Sequence, residues 1–224
     1  MSQRDQKLQF ILRHAARIFS EKTYHSTSMR DISRATGISL AGLYHYCKSK
    51  EELLFLIQDN CFARVTERLE ARLKDATDPI EKLRIFIDNH LAFFAANMAE
   101  MKVLSHEADS LAGDLHSQVS DKKERYTRLA REILKGVQRH GPSPRKQIDL
   151  TVATYALFGM MNWIYNWYNP NGKLAVRELV DNITRLYLTG FLGSDAESQL
   201  DWSKATHGEG TSVWPEPQKD NAAV

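Results

Sequence analysis

The sequence contains few of the residues that build disulfide-rich, zinc-binding or turn-rich folds. Only two of its 224 residues are cysteine, Cys47 and Cys61, and there is no Cys-x-x-Cys or Cys/His cluster. A disulfide framework and a zinc site are therefore not expected, and a reducing compartment is favoured. Six prolines and eleven glycines leave room for long helices and argue against an all-β fold.

Long uninterrupted apolar segments are also missing. The apolar stretch near the N-terminus is short and is broken by Arg13, His14 and Arg17, which does not fit a secretory signal. Residues 150–172 carry no charge, but polar residues and Pro170 interrupt them. Their dense apolar part covers about 12 residues, whereas a membrane-spanning helix needs about 20. We therefore expect no membrane segment, a cytoplasmic location, and a helix here that protein buries on more than one side.

Charge is nearly balanced over the whole chain but unevenly distributed along it. Residues 1–50 hold nine Lys/Arg against three acidic residues, whereas the rest of the chain holds 21 against 25. A basic first quarter on a mildly acidic remainder is typical of a chain in which one small module binds a polyanion.

Helical periodicity begins at the N-terminus, where apolar residues recur at spacings of three and four. A second helix is predicted after the capping pair Ser28 and Asp31, ending at Gly37. Its inward residues are expected to be Met29, Ile32 and Ala35. A third helix is predicted at 40–46 after the cap Ser39.

The rest of the chain is also predicted to be helical, with neither a convincing strand nor an internal repeat. Ser49 caps a long fourth helix that runs to Leu73. Later helices are predicted from Pro79, at 98–108, at 120–139, at 147–167, and from Leu174 to Leu192 before Gly193. From 194 onward the periodicity disappears, and this tail is expected to be mobile.

No catalytic signature is present. The sequence has no GxGxxG, P-loop, GxSxG or HExxH pattern, so the expectation is no enzyme and no catalytic residue. His106, Glu107 and Asp109 lie too close together on one turn to complete a metal site. No metal and no cofactor are expected.

The most informative segment is 28–53, which reads SMRDISRATGISLAGLYHYCKSKEEL. It places a short helix, a turn with glycine and a second short helix in succession, which is the helix-turn-helix layout. The second helix has small residues in its first half and polar aromatic residues in its second, a composition suited to close approach, phosphate positioning and base-edge contact. The next helix begins at Lys50, and a helix N-terminus attracts phosphate.

With the first helix included, residues 8–55 resemble the signature of the TetR family of bacterial repressors. Cys47 departs from that signature, which usually has Phe there, and predicts looser packing. The matching positions are Thr27, Ser28, Arg30, Asp31, Ile32, Ser33, Gly37, Ile38, Ser39, Gly42, Leu43, Tyr44, Tyr46, Ser49, Lys50, Glu51 and Leu53.

The resemblance implies a set of contacts with double-stranded DNA. Phosphate contacts are implied for Thr27, Tyr44, Tyr46 and Lys50, and base contacts for Ser39, Leu40 and His45. The predicted DNA-binding surface also includes Ser28, Ala41 and Gly42. Tyr44 and Tyr46 could instead pack in the interior of the domain, and this alternative to a phosphate contact applies more strongly to Tyr46. Lys48 is expected to be a solvated charge, and for Arg30 and Arg34 the alternative is a position beside the duplex without contact.

A second resemblance lies in 159–193, which contains the pattern N-W-x-x-x-W-Y-x-P-x-G-x-L followed by a final helix. It resembles a TetR branch associated with fatty-acid, acyl-CoA or steroid-CoA metabolism. Met, Phe and Trp side chains together can line a long apolar cavity. The residues expected to bind a ligand are Phe94, Met98, Met101, Phe158, Asn162, Trp163 and Trp167.

Two alternatives remain open in this region. Trp163 and Trp167 either line the ligand cavity or belong to the core and to the dimer interface, which the last two helices usually form in the family. The basic residues Arg125, Arg128 and Arg131 either meet CoA phosphates or form a solvated helix face.

The combined prediction is an all-α homodimer. Residues 1–55 form a three-helix helix-turn-helix domain, 56–193 form a helical bundle for ligand binding and dimerisation, and 194–224 form the tail. The resemblance implies a repressor that binds an inverted-repeat operator and is released by a small-molecule effector, an acyl-CoA, which shifts the fourth helix and changes the separation of the two recognition helices. The alternative is an acyl-CoA-binding protein or enzyme with a vestigial helix-turn-helix.

Overall fold

A computed structural model describes residues 2–140 and 148–189 of the chain. The described residues up to Leu188 belong to one compact unit. Its helices are α1 Gln3–Lys22, α2 Met29–Thr36, α3 Leu40–Tyr44, α4 Lys50–Leu73, α5 Pro79–Ala95, α6 Met98–His106, α7 Gly113–His140, α8 Leu150–Asn162, a 3-10 turn Trp163–Asn166, and α9 Val176–Thr189. No strand occurs among the described residues, which confirms the all-α prediction.

Helices α1 to α3 form the head, and α5 to α9 form the body. Local hydrogen bonds set the boundaries of the helices in the head. Ser28 and Asp31 make the predicted capping box at the start of α2, and Gly37 ends that helix in the left-handed conformation at φ 68. The expectation that Ala35 faces inward is wrong. Ala35 is exposed, and Thr36 is buried instead and donates its hydroxyl to the carbonyl of Ile32.

Helix α3 is shorter than the predicted 40–46 and ends at Tyr44. The backbone N–H of Tyr46 donates to the carbonyl of Leu43, and this bond between residues three apart makes a tighter turn than an α-helix does. The next cap, Ser49, follows three residues later. Cys47 is buried in this turn, and its thiol contacts the carbonyl of Leu43 at 3.5 Å.

Helix α4 contributes to two hydrophobic cores. Its first half packs Leu53 and Ile57 into the core of the head, and its second half packs Val65 and Leu69 into the core of the body. The head core also receives Val103 of α6, a helix that packs more extensively on α1 than on α4. Head and body are therefore joined through both α4 and α6.

Three boundaries in the body differ from the sequence prediction. Helix α7 begins at Gly113, before the predicted residue 120. Helix α8 ends at Asn162, and the chain continues as a 3-10 turn rather than as α-helix to 167. The predicted helix stop at Gly141 and Pro142, the stop at Gly193 and the tail 194–224 lie outside the described residues.

The prediction that α8 is buried on more than one side is also wrong for the single chain. One side of α8 buries Thr154, Leu157 and Met161, but Val152 is 61% exposed and Tyr155 is 59% exposed. The apolar composition that suggested burial therefore marks a face that this chain leaves uncovered. Within the described ranges, no helix combines the length and apolarity needed to cross a bilayer.

Candidate functional site

The recognition helix α3 presents small and aromatic residues on the surface of the head. Its cap Ser39 accepts a hydrogen bond from the backbone N–H of Gly42 at 3.1 Å. A Cβ atom at Gly42 would lie 2.9 Å from a methyl carbon of Ile38, so a larger residue at this position of α3 would require the Ile38 side chain to shift. Tyr44 is 50% exposed and His45 is exposed beside it. Both side chains are accessible to a duplex.

The other predicted DNA contacts differ in how accessible they are. Ala41 is exposed, and so is Ser28, although its side chain caps α2. Leu40 is half-buried. Tyr46 is half-buried against the head core, which agrees with its alternative packing role. Thr27 is 2% exposed and donates its hydroxyl to its own turn, so its side chain lies in the interior.

Lys50 is held by the turn between α1 and α2. Its ammonium donates to the carbonyls of Tyr24 and Thr27, both at 2.9 Å, and lies 4.3 Å from the centroid of the Tyr24 ring. Two of its three N–H groups are therefore used within the head. Lys50 positions the start of α2 in addition to its predicted phosphate contact.

A buried carboxylate joins the head to the body at this turn. Glu107, which follows α6, accepts from the backbone N–H of Tyr24 at 3.0 Å and from the hydroxyl of Ser110 at 2.7 Å. Its own carbonyl accepts from the side-chain amide of Gln58 on α4 at 3.0 Å. Sequence reasoning considered Glu107 only as a metal ligand. No local pattern could reveal partners 83 and 49 residues away.

The body encloses a mostly apolar cavity of about 400 Å³ between α5, α6, α7 and α8. Five of the seven residues expected to bind a ligand line it: Phe94, Met101, Phe158, Asn162 and Trp163. Met98 and Trp167 do not line it. Phe94 and Met101 are buried, whereas Asn162 and Trp163 are exposed. The first pair therefore forms the floor of the cavity, and the second pair lies where it opens.

Sequence reasoning missed the polar group in the cavity wall. His90 on α5 is 2% exposed, with Nε2 3.1 Å from Oδ1 of Asn162 and Nδ1 3.3 Å from the hydroxyl of Tyr126. Burial lowers the pKa of His90 to about 3, so the ring is neutral near pH 7. Burial also raises the pKa of Tyr126, which keeps its proton. The cavity thus contains neutral hydrogen-bonding groups among aromatic rings.

Among the described residues that line the cavity, Lys123 is the one that carries a positive charge, and it is exposed at the opening. No carboxylate of the described residues pairs with its ammonium, in contrast to Arg125 and Arg128 on the same helix, and Arg131 bonds a hydroxyl. Those bonds are Arg125 with Glu70 at 2.7 Å, Arg128 with Glu124 at 2.9 Å, and Arg131 with the hydroxyl of Thr151 at 3.3 Å. The structure therefore favours the solvated-face interpretation of the three arginines.

The exposed apolar residues of the body are concentrated on the last two helices and the turn between them. Six of the eight that the described residues contain lie there, namely Val152, Tyr155, Trp163, Trp167, Leu186 and Leu188, and the other two are Ile80 and Ile148. In the described part of the chain, no group of three or more His, Cys, Asp or Glu side chains is arranged to hold a metal ion.

Two family descriptions match the chain. Residues 11–57 match "Bacterial regulatory proteins, tetR family", and residues 76–191, more than half of the chain, match "Tetracyclin repressor-like, C-terminal domain". The HTH-type transcriptional repressor KstR2 of Mycolicibacterium smegmatis is 28% identical over 204 residues, which cover 89% of this chain and 94% of that protein. The fatty acid metabolism regulator protein of Bacillus subtilis is 23% identical over 194 residues, covering 85% and 98%.

Solved structures show the same similarity. The crystal structure of AibR in complex with isovaleryl coenzyme A and operator DNA has a TM-score of 0.71 and 28% identity, covering 80% of this chain and 97% of that one. The TetR family transcriptional regulator PfmR from Thermus thermophilus has a TM-score of 0.71 and 31% identity, covering 81% and 98%.

Proposed function

Because the chain belongs to the TetR family and is a transcriptional repressor of that type, we propose that it binds an inverted-repeat operator as a homodimer and is released by a CoA thioester in the cavity of the body. The genes it controls are proposed to act in acyl-CoA metabolism. The observation that carries the effector assignment is the cavity itself, which has an apolar floor and, at its opening, a lysine that no described carboxylate pairs.

The similar proteins support this assignment. AibR was crystallised with isovaleryl coenzyme A and operator DNA, and it is 28% identical to this chain. KstR2 is a repressor, and the B. subtilis relative regulates fatty acid metabolism. A cavity of about 400 Å³ is within the usual range for a small-molecule site.

The head is proposed to read DNA through α3. Tyr44 and His45 reach outward from this helix, while its small residues allow the backbone close approach to the major groove. Two heads related by a two-fold axis must enter successive major grooves about 34–36 Å apart. The uncovered apolar residues of α8 and α9 are proposed to form the dimer interface that sets this separation.

The ligand is proposed to place its acyl chain on the floor formed by Phe94 and Met101 and its CoA moiety at the opening. Each buried CH₂ group contributes about 0.8 kcal/mol, or about fourfold in affinity. Affinity should therefore rise with acyl length until the cavity is full. The phosphates of CoA are expected near Lys123, so a free fatty acid should bind more weakly.

The test uses the full chain, DNA from upstream of its own gene, and a series of acyl-CoAs of increasing length. We expect a gel shift with a protected pseudo-palindrome, and release of the DNA by the acyl-CoAs that bind in calorimetry. Lys123→Ala should weaken CoA binding, whereas Arg128→Ala, which removes an arginine already paired with Glu124, should not.

Two outcomes would contradict the proposal. If no acyl-CoA binds, or if binding leaves operator affinity unchanged, the effector assignment is wrong. If acyl-CoAs bind but no DNA is retained, the chain is an acyl-CoA-binding protein with a vestigial helix-turn-helix.

A further inference from the structure

Asn162 stands at the boundary between the closed and open parts of the cavity. It is the last residue of α8 and is exposed, yet its side chain reaches the buried ring of His90. The thioester has the corresponding position in an acyl-CoA, because it joins the apolar acyl chain to the polar CoA moiety. The chemistry of Asn162 therefore determines which group is favoured at this boundary.

Hydrogen bonding fixes the orientation of the Asn162 amide. Its Oδ1 faces Nε2 of His90 at 3.1 Å, and an amide oxygen only accepts, so Nε2 carries the ring proton. Nδ1 is then unprotonated and accepts from the hydroxyl of Tyr126 at 3.3 Å. The ring cannot turn without breaking both bonds, and it is packed against Phe94 with ring centroids 4.7 Å apart.

This arrangement leaves the amide nitrogen of Asn162 without an acceptor among the described residues. None of them takes a hydrogen bond from its Nδ2, although its oxygen is engaged. An N–H pair that is held in place beside an apolar cavity favours a ligand that brings a carbonyl oxygen to it. An apolar group placed there would leave the donor unpaired, at a cost in affinity.

We propose that Asn162 donates a hydrogen bond from Nδ2 to the thioester carbonyl of the ligand, and that His90 and Tyr126 are positioning residues that hold the amide in this orientation. This inference rests on the proposed CoA-thioester effector. It adds that the cavity distinguishes a thioester from other CoA conjugates of the same length, independently of how the acyl chain is packed.

The experiment compares two probes, a straight-chain acyl-CoA thioester and the S-alkyl-CoA thioether of equal length, which lacks the carbonyl. Calorimetry on the full-length wild-type chain should show about tenfold tighter binding of the thioester, as expected for one hydrogen bond to a fixed donor. Asn162→Leu should bind the two probes equally.

His90→Phe tests the positioning role, because it retains an aromatic ring but removes both ring nitrogens. It should lower the thioester-to-thioether ratio, whereas simple loss of packing would weaken the binding of both probes in parallel. Gly159→Ala is the matched control. Gly159 lines the same cavity one turn before Asn162, and a Cβ there would meet no atom within 4 Å. This variant should change both affinities in parallel and preserve their ratio.

The possible outcomes separate the inference from the proposed function. If the wild-type chain binds thioester and thioether equally, the role of Asn162 is wrong while a CoA effector stands. Circular dichroism checks that Asn162→Leu is folded. If the folded variant keeps the wild-type ratio of thioester to thioether affinity, the donor is another residue and the inference is wrong. If neither probe binds the wild type, the CoA effector and this inference are both wrong.

Discussion

The backbone N–H of Tyr24 donates a 3.0 Å hydrogen bond to Oε1 of Glu107, joining the turn between α1 and α2 to the end of α6. Residues on both sides of Glu107, namely Leu104, Ser105 and Ala108, line the cavity of the body. One buried carboxylate thus connects the wall of the cavity to the turn that Lys50 also holds. A ligand that binds more tightly to the conformation in which this wall is displaced would favour that conformation. Through the contact between Glu107 and Tyr24, it would then change the affinity of the head for DNA.

The first prediction concerns this coupling. Glu107→Ala removes the acceptor for the backbone N–H of Tyr24. The variant should still bind operator and ligand, but the factor by which saturating ligand lowers operator affinity should be about tenfold smaller than in the wild type. Glu107→Gln keeps an oxygen for Tyr24 and should retain most of this factor. Fluorescence anisotropy with labelled operator measures both, and Asp109→Asn, at a nearby acid, is the control. An unchanged factor in Glu107→Ala would exclude this contact from the response.

The second prediction concerns Lys50. Its ammonium donates to two carbonyls of the head, and charge-assisted hydrogen bonds of this kind contribute about 1.5–3 kcal/mol each. Lys50→Ala should therefore lower the free energy of unfolding by at least about 1.5 kcal/mol in urea. If Lys50 also contacts phosphate, the slope of log affinity against log salt should fall by about one for each half of the dimer. Lys48→Ala, at an exposed neighbour, should leave stability unchanged.

The third prediction concerns acid stability. The pKa of His90 is lowered from 6.5 to about 3 in the folded chain. The unfolded chain therefore takes up a proton as pH falls below about 6.5, whereas the folded chain does not. As pH falls from about 6.5 towards about 3, His90 should therefore lower the free energy of unfolding by about 1.4 kcal/mol per pH unit. Above about pH 6.5 it should have no effect.

His90→Gln, which cannot titrate, should lack this part of the slope when urea unfolding is compared at about pH 7.5 and about pH 5.5. Parallel stability curves for the two proteins would show that the ring is protonated in the folded chain.

The fourth prediction separates the two exposed tryptophans. Trp163 lines the cavity and Trp167 does not, although they are 61% and 54% exposed. Trp163→Ala should weaken the release of operator by ligand and retain the dimer. Trp167→Ala should instead weaken the dimer in sedimentation equilibrium and retain ligand affinity. Loss of the dimer in Trp163→Ala with normal ligand binding would assign that side chain to the interface.

The helix-turn-helix could be predicted from sequence because its determinants are local. Ser28 caps α2 by accepting from the backbone N–H of Asp31, and Ser39 caps α3 by accepting from that of Gly42, so each bond joins residues three apart. The left-handed conformation at Gly37 is equally local. Contacts at this range depend on residue type and spacing, both of which can be read directly along the chain. The aromatic and methionine content of the middle helices similarly predicted five residues of the cavity wall.

The sequence by itself determined that the chain is helical, the N-terminal caps of α2, α3 and α4, and the apolar composition of the body. Only the tertiary structure decided which side chains meet across it: Tyr24 with Glu107 over 83 residues, and His90 with Asn162 over 72. It also decided that α8 leaves one apolar face uncovered and that Lys123, rather than the arginines beside it, lines the cavity. The reason is physical. Helix periodicity specifies which residues share a face, but the packing of helices against one another specifies which faces and charges come together.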